Sequence, residues 1–349
     1  MSEPVCQRIR AGCELEKGEV GMAEESTREW LSLVVQCRRA VAHDIIEFTL
    51  AFADAGELPP FEPGAHVLVR TPAGSTRKYS LVNPPSQRRH YVIAVRRDAN
   101  GRGGSVSMAD RLASGAVIET SVPENAFPLE PSARRYLFIA GGIGITPILG
   151  MIRHLQMRTA GGENPPSFQL IYLTRSAAVT AYLEELASQA LSAHVSLHHD
   201  HGDPGEAFDL WPVLERPAAG THIYCCGPRG LMDSVRDMTG HWPATSIHFE
   251  SFGVGDAAMF EANQPFTIRL ARSGESIEVD ADQTALEALV AHGCRVMSSC
   301  EAGSCGTCRT TYLSGDVEHR DLVLGEGEKA DQIMVCVSRA RGGVLELDL

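Results

Sequence analysis

Short runs of branched and aromatic residues, separated by proline and glycine, dominate the chain between residues 30 and 130. The runs cover residues 31–35, 45–50, 66–69 and 91–95, and turn residues such as Pro63-Gly64 and Asn83-Pro84-Pro85 lie between them. Regular short strands with this punctuation are typical of a small antiparallel barrel. Residues 28–131 are therefore predicted to form a β-barrel domain.

The hydrophobic period changes after residue 135. Buried strands are predicted at 136–140, 167–173, 195–199 and 221–226, and helices are predicted at 147–157, 181–191 and 229–239. Strands that alternate with helices indicate a parallel sheet covered by helices. Residues 132–252 are predicted to form this α/β domain, so the fold class is multidomain.

A hairpin followed by a helix predicts a third unit. Its strands cover 266–270 and 276–279, and its helix covers 285–291. The loop-like segment 253–263 is predicted to be a linker, and 264–349 a C-terminal domain. Residues 1–27 lack hydrophobic periodicity and are expected to be a disordered extension.

Composition and charge narrow the class of protein. Of the 349 residues, 44% are hydrophobic and 21% are charged, which suits packed globular cores. No apolar run approaches the roughly 18 residues of a membrane helix, and none near the start resembles a signal peptide, so a cytoplasmic protein is expected.

The net charge is −13, from 31 basic and 44 acidic residues. This balance argues against nucleic-acid binding and favours a partner with a basic patch.

Four cysteines near the C-terminus have the spacing of an iron–sulfur site. Cys300, Cys305 and Cys308 form a C-x4-C-x2-C motif, and Cys336 follows after 27 intervening residues. This is the plant-type 2Fe–2S ferredoxin spacing, in which soft thiolates bind iron. A zinc site is the alternative, although zinc usually takes paired C-x2–4-C knuckles. The spacing therefore predicts a 2Fe–2S cluster.

A glycine-rich segment joins a predicted strand to a predicted helix in the α/β domain. Gly141, Gly142 and Gly144 precede Thr146-Pro147, and Cys226-Gly227-Pro228 ends a second strand. Glycines at such a junction let a pyrophosphate approach the helix N-terminus. Thr174-Arg175 also follows a strand, and Arg175 could hold the 2′-phosphate of NADPH. A tight structural turn is the alternative for the glycines.

Two further segments of the predicted barrel suit a phosphate-bearing cofactor. In Arg77-Lys78-Tyr79-Ser80, an aromatic face lies beside a hydroxyl and a guanidinium fork. The loop that contains Arg102, Gly103, Gly104 and Ser105 could bind a phosphate through its backbone N–H groups. An exposed strand and a hairpin turn are the respective alternatives.

Taken in order, Arg-x-Tyr-Ser, Gly-Gly-Ile-Gly-Ile-Thr-Pro and Cys-Gly-Pro resemble the ferredoxin–NADP⁺ reductase superfamily. With the cysteine motif at the C-terminal end, residues 29–349 look like the phthalate dioxygenase reductase family, the flavin reductases of two-component aromatic-ring oxygenases. The resemblance implies FMN in the barrel domain, NADH in the α/β domain, and a 2Fe–2S cluster in an α+β ferredoxin of the β-grasp type.

The resemblance also assigns roles to individual residues. Arg77 and Ser80 should bind the phosphate side of FMN, and Tyr79 its ring. The isoalloxazine should be lined by Ala94, Val95 and Arg96, and the phosphate should be cradled by Arg102, Gly103, Gly104 and Ser105. Phe252 should pack at the flavin edge. Thr146 should lie near both flavin and nicotinamide. Lys78 replaces an expected small polar residue, so its backbone is the part expected to serve.

The activity implied is an NADH-dependent reductase. It would pass electrons one at a time from NADH, through FMN and the cluster, to a Rieske-type oxygenase that acts as a phthalate-like dioxygenase or a demethylase. Ser80, Cys226 and Glu250 are the candidate residues near the reacting atoms. The oxygenase contact should be transient and electrostatic, and the reductase a monomer. The alternatives are a reductase for another acceptor, such as a diiron hydroxylase, and a non-enzymatic redox carrier or sensor.

Overall fold

The structure is a computed structural model that describes residues 29–101, 103–252, 263–298, 303, 306–321, 323–325 and 327–349. The predicted extension 1–27, most of the predicted linker 253–263, Arg102, Cys300 and Cys305 lie outside the described residues. Three main sheets follow one another along the chain. Each lies inside one predicted domain range, while the precise domain boundaries stay predictions.

The first sheet is antiparallel and has six strands in the order β4-β3-β6-β1-β2-β5. Its elements are β1 (Trp30–Ala42), β2 (Ile45–Ala51), β3 (His66–Arg70), β4 (Thr76–Ser80), β5 (Tyr91–Arg96), α1 (Gly104–Arg111) and β6 (Val117–Ser121). The two end strands, β4 and β5, contact each other, so the sheet curls around a core that includes Phe48, Leu50 and Tyr91. The predicted antiparallel barrel is confirmed.

The second sheet is fully parallel, in the order β11-β10-β7-β8-β9. Its elements are β7 (Arg135–Gly141), α2 (Ile145–Ala160), β8 (Ser167–Thr174), α3 (Leu183–Leu186), β9 (Val195–His199), α4 (Trp211–Leu214), β10 (Thr221–Cys226), α5 (Arg229–Met238) and β11 (Ile247–Glu250). The predicted parallel α/β domain is confirmed. Parallel strands bring the carboxyl ends of β7, β10 and β11 to one edge, where ligands bind in such folds.

The helix predicted at 181–191 is wrong in extent. Only Leu183–Leu186 is α-helical, and the segment ends in a separate 3₁₀ turn at Ser192–His194. Tyr182, just before the helix, has a left-handed backbone with φ of 59°, which a continuous helix does not permit. The buried Leu186 and Leu191 therefore lie on two consecutive short turns.

The third sheet is mixed and packs against one helix. The elements of this part of the chain are β12 (Phe266–Leu270), β13 (Ser276–Val279), α6 (Ala285–Ala291), β14 (Arg309–Ser314), β15 (Val317–Glu318), β16 (Gln332–Met334), β17 (Arg339–Ala340) and β18 (Val344–Leu347). Strands β15 and β17 form a small separate two-stranded ladder. A capping box between Thr284 and Glu287 starts α6. The sheet agrees with the predicted α+β ferredoxin domain.

An apolar interface joins the barrel to the parallel sheet. Val82 and Val92 from the barrel share one buried cluster with Ile148 and Ile152 of α2. Gly150 of α2 packs so closely that an added Cβ would lie 2.5 Å from the Leu81 carbonyl oxygen. Among the described residues, no helix is long and apolar enough to cross a membrane.

Candidate functional site

Two loops at the carboxyl edge of the parallel sheet touch each other through their glycines. A Cβ added to Gly144 would lie 2.1 Å from the Cys226 carbonyl oxygen, and one added to Gly141 would lie 2.6 Å from Pro228 Cδ. Only glycine fits at such approaches of backbone to backbone. The structure therefore brings the glycine loop after β7 against the predicted Cys226-Gly227-Pro228 turn.

Gly142 differs from its neighbours because it faces open space. Its φ is +52°, and a Cβ at this position would meet no atom within 4 Å. The Tyr172 hydroxyl donates a 3.0 Å hydrogen bond to its carbonyl oxygen, which fixes the turn. Thr146 and Pro147 follow in the first turn of α2 and are buried, and the Thr146 hydroxyl donates to the Ile143 carbonyl. This loop leaves room for a ligand beside a held backbone.

Four polar side chains from both domains meet beside these loops. Lys78 Nζ of β4 lies 2.7 Å from Glu250 Oε1 of β11, and their side chains are 8% and 2% exposed. The Ser80 hydroxyl donates a long hydrogen bond of 3.5 Å to Glu250 Oε2. Cys226 is the register partner of Glu250 in the parallel sheet and is fully buried. We call Lys78, Ser80, Cys226 and Glu250 the buried polar cluster.

Cys226 is held as a neutral thiol in this cluster. Burial raises the pKa of its thiol well above the ordinary value, and the Glu250 carboxylate raises it further, while Lys78 acts in the opposite direction. A thiolate is therefore disfavoured at neutral pH. Cys226 offers packing and a weak S–H donor, and it brings no charge.

A second candidate subsite lies where α1 begins. Gly103 has φ of +80°, and a Cβ on the next residue, Gly104, would lie 3.0 Å from Arg77 Nε. The Ser105 hydroxyl accepts a hydrogen bond from the backbone N–H of Asp98. The structure thus brings together Arg77, Gly103, Gly104 and Ser105, while Arg102 is outside the described residues. A guanidinium beside the N-terminus of a helix suits a phosphate group.

The remaining predicted flavin residues face different ways. Tyr79 is half-buried, and its burial raises the pKa of its phenol to about 12, against the effect of Arg77. Ala94 packs toward the nucleotide domain, whereas the Val95 side chain is fully buried in the barrel core. The Arg96 side chain is exposed. The Val95 side chain is therefore not accessible to a ligand.

The other predicted nucleotide residues lie away from the buried polar cluster. Thr174 and Arg175 are at the carboxyl end of β8, on the opposite side of β7 from Cys226. The Thr174 hydroxyl pairs with the Thr180 hydroxyl at 2.7 Å and is buried, and Arg175 is exposed. Phe252, two residues after Glu250, is 37% exposed.

Two of the four predicted cluster ligands lie in the described part of the third domain. Cys308 and Cys336 are both buried in one apolar core, while Cys300 and Cys305 are outside the described residues. Gly303 has φ of +71°, and its added Cβ would lie 2.7 Å from Val337 Cγ2. Gly303 therefore lies in close contact with the turn that carries Cys336. Cys294, outside the motif, is half-buried.

Comparison with known proteins agrees with this arrangement. Residues 138–237 match an oxidoreductase NAD-binding domain, and residues 268–341 match a 2Fe-2S iron-sulfur cluster binding domain. The reductase subunit of Pseudomonas putida phthalate 4,5-dioxygenase is 52% identical over 94% of this chain and 99% of its own length. Phthalate dioxygenase reductase of Burkholderia cepacia is 50% identical over 92% and 98%.

The chain belongs to the phthalate dioxygenase reductase family. A solved structure of phthalate dioxygenase reductase, described as a modular structure for electron transfer from pyridine nucleotides to a 2Fe–2S centre, superposes with a TM-score of 0.80. It is 49% identical and covers 92% of this chain and 98% of its own. As a member of this family, the chain is an electron-transfer reductase with NAD-binding and 2Fe–2S domains. The predicted family, class of enzyme and these two domains are confirmed.

The side chain of Lys78 is the site feature that sequence reasoning missed. The family pattern directed attention to its backbone, yet its ammonium group contacts Glu250. The available signal was a lysine at a position where the family pattern has a small polar residue. The partner could not be found this way, because Glu250 lies on another domain.

Proposed function

We propose that this reductase takes a hydride from NADH and delivers single electrons to a Rieske-type oxygenase that acts on a phthalate-like aromatic ring. Its relatives are named as reductases of phthalate dioxygenases. FMN would lie in residues 28–131, NADH in 132–252 and the cluster in 264–349, with 253–263 as the linker. The observation that carries the proposal is the buried polar cluster, because it joins the barrel to the nucleotide sheet beside the glycine loops.

The residues of the barrel fit FMN. Arg77 and the α1 N-terminus at Gly104 supply a guanidinium and free N–H groups for its phosphate. Ser80 would contact the ring through its hydroxyl, and the neighbouring Tyr79 of β4 through its aromatic face. When bound, FMN supplies a two-electron acceptor for the hydride, and the 2Fe–2S cluster supplies a one-electron relay.

The residues of the nucleotide domain orient NADH and exclude water. The open face at Gly142 and the buried Thr146 would receive the nicotinamide half, and the Cys226 thiol would pack beside it. A hydride carries its own electron pair, so the chain need not supply a general base. Its contribution is proximity and a site that excludes water. Thr174 and Arg175 would contact the adenosine half, with NADH favoured over NADPH.

The four cysteines Cys300, Cys305, Cys308 and Cys336 would hold the cluster as thiolates. Cys308 and Cys336 are buried in the core, and this burial would keep solvent from the cluster and tune its potential. The reducing cytoplasm suits such thiols and the free Cys225 and Cys226.

Charge supports the proposed contact with the oxygenase. Residues 262–349 contain 8 basic and 14 acidic residues, a net charge of −6. An acidic ferredoxin domain would meet a basic patch on the partner, in a small interface that releases after each electron. The reductase would act as a monomer, because one chain carries every centre.

Anaerobic stopped-flow mixing with NADH tests the proposal. Flavin absorbance should bleach first, cluster absorbance should follow, and chromatography should identify the released flavin as FMN. NADPH should react more slowly than NADH. A loaded protein that NADH does not reduce would contradict the reductase and support a non-enzymatic carrier or sensor.

A further inference from the structure

We propose that Lys78 is a positioning residue of the hydride-transfer site, which acts by holding the Glu250 carboxylate in a fixed place between the two domains. This inference rests on the proposed function for the meaning of the site. The ion pair itself is a feature of the fold and can be tested without turnover.

The ion pair between Lys78 and Glu250 differs from an ordinary surface ion pair because it is buried. Lys78 comes from the flavin barrel and Glu250 from the last strand of the nucleotide sheet, yet their charged atoms are 2.7 Å apart and both side chains are almost fully buried. A buried carboxylate without its cation is strongly disfavoured. Lys78 therefore supplies the countercharge that a carboxylate buried at this place needs.

The other groups around Glu250 cannot replace that charge. Ser80 on β4 offers a neutral hydroxyl at 3.5 Å, and Cys226 on β10 is a neutral thiol. His248 on β11 stacks on Tyr224, and burial lowers its pKa to about 4, so it is neutral. His66 on β3 is the register partner of Ser80 and is buried. The positive charge that faces Glu250 at 2.7 Å therefore comes from Lys78.

The position of the pair gives it a role in orientation. Glu250 is the register partner of Cys226, whose carbonyl contacts the Gly144 loop. A carboxylate held from the barrel side therefore fixes the edge of the sheet against the strand that carries Tyr79 and Ser80. Loss of Lys78 should change the alignment for hydride transfer more than it changes NADH binding.

The test compares Lys78→Met, Lys78→Arg, Glu250→Gln and the double variant Lys78→Met/Glu250→Gln in the full holoprotein. Arg70→Met is the matched control, since it breaks an ion pair of 2.8 Å with Glu119 on the same barrel, where both side chains are about half exposed. Stopped-flow reduction by NADH gives a limiting rate and an apparent Kd. Thermal unfolding from pH 5 to 9 gives a readout independent of turnover.

Lys78→Met should lower the limiting rate at least tenfold with a Kd within twofold of the wild type, and Lys78→Arg should restore part of the rate. In the Glu250→Gln background, Lys78→Met should change the rate less than twofold. Burying a carboxylate without its cation is costly, so the stability of Lys78→Met relative to the wild type should fall as pH rises above the ordinary glutamate pKa. The double variant should lose this dependence, and Arg70→Met should resemble the wild type.

Three results would overturn the inference: a Lys78→Met rate within twofold of the wild type, an equal effect of Lys78→Met with and without Glu250, or a pH dependence of unfolding like that of the wild type. If Lys78→Met does not fold, a folded double variant would support the pairing, and an unfolded one would contradict it. A wild type that NADH does not reduce would refute the proposed function, while the unfolding data would still test the pair.

Discussion

The close approach of the two loops at the candidate nucleotide site predicts that one added methyl group will have a large effect. In Gly144→Ala the new Cβ would lie 2.1 Å from the Cys226 carbonyl oxygen and 2.9 Å from the Gly227 nitrogen. An ordinary contact needs about 3.4 Å, so backbone must move by about 1 Å. Overpacking of this kind costs about 1–3 kcal/mol, and a misplacement of about 1 Å at a reacting site can cost about 100-fold in rate.

We therefore expect Gly144→Ala to slow reduction of the flavin by NADH between tenfold and 100-fold, while flavin and cluster spectra stay unchanged. Gly230→Ala in α5 is the control, because its added Cβ would meet nothing within 4 Å. The control should equal the wild type or unfold slightly later. Stopped-flow rates at saturating NADH and thermal unfolding decide the matter. A Gly144→Ala rate within twofold of the wild type would refute the steric reasoning.

Three further predictions follow from the site. Cys308→Ser should remove most of the cluster absorbance, because a hydroxyl is a poor ligand for iron, yet flavin reduction by NADH should survive; loss of both in a folded variant would contradict separate modules. Cys226→Ala should slow flavin reduction. In the native protein, the raised pKa of the Cys226 thiol should keep its alkylation by iodoacetamide slow up to pH 9, which mass spectrometry can measure. Electron delivery to the oxygenase should fall between about 20 and 500 mM salt, as screening shortens from roughly 20 Å to a few ångströms, while flavin reduction changes less; a flat coupled rate would count against electrostatic docking.

Local pattern was sufficient where an element is bounded by turn residues. The strands Val195–His199, Thr221–Cys226 and Phe266–Leu270 have the predicted limits, because glycine, proline or a change of polarity stops each run. The pattern failed at Leu183–Leu186, where apolar residues at helical spacing lie on two turns separated by backbone that leaves the helix. Side-chain period alone does not report such a change.

Some residues of the candidate site could be predicted from the sequence, and others could not. Gly141, Gly144 and the Cys-Gly-Pro turn could be predicted, since tight turns at strand ends need particular residues. The contact of Lys78 with Glu250 could not be, because the two are 172 positions apart and meet only after two domains pack. Periodicity carries information about neighbours on one element and none about partners on another.

The contact between the barrel and the nucleotide sheet differs in kind from the contact between α5 and the third domain. The barrel and the nucleotide sheet share a buried apolar cluster around Val82 and Ile148, reinforced by the close approach of Gly150 to Leu81. An apolar interface of this kind holds two domains as one unit, which hydride transfer requires, since its donor and acceptor must be in van der Waals contact. Between α5 and the third domain, the Arg229 guanidinium donates a 2.9 Å hydrogen bond to the Arg320 carbonyl oxygen. Transfer of a single electron can occur over a longer and less fixed distance between donor and acceptor than hydride transfer. A polar contact is therefore sufficient for a domain that also binds an oxygenase.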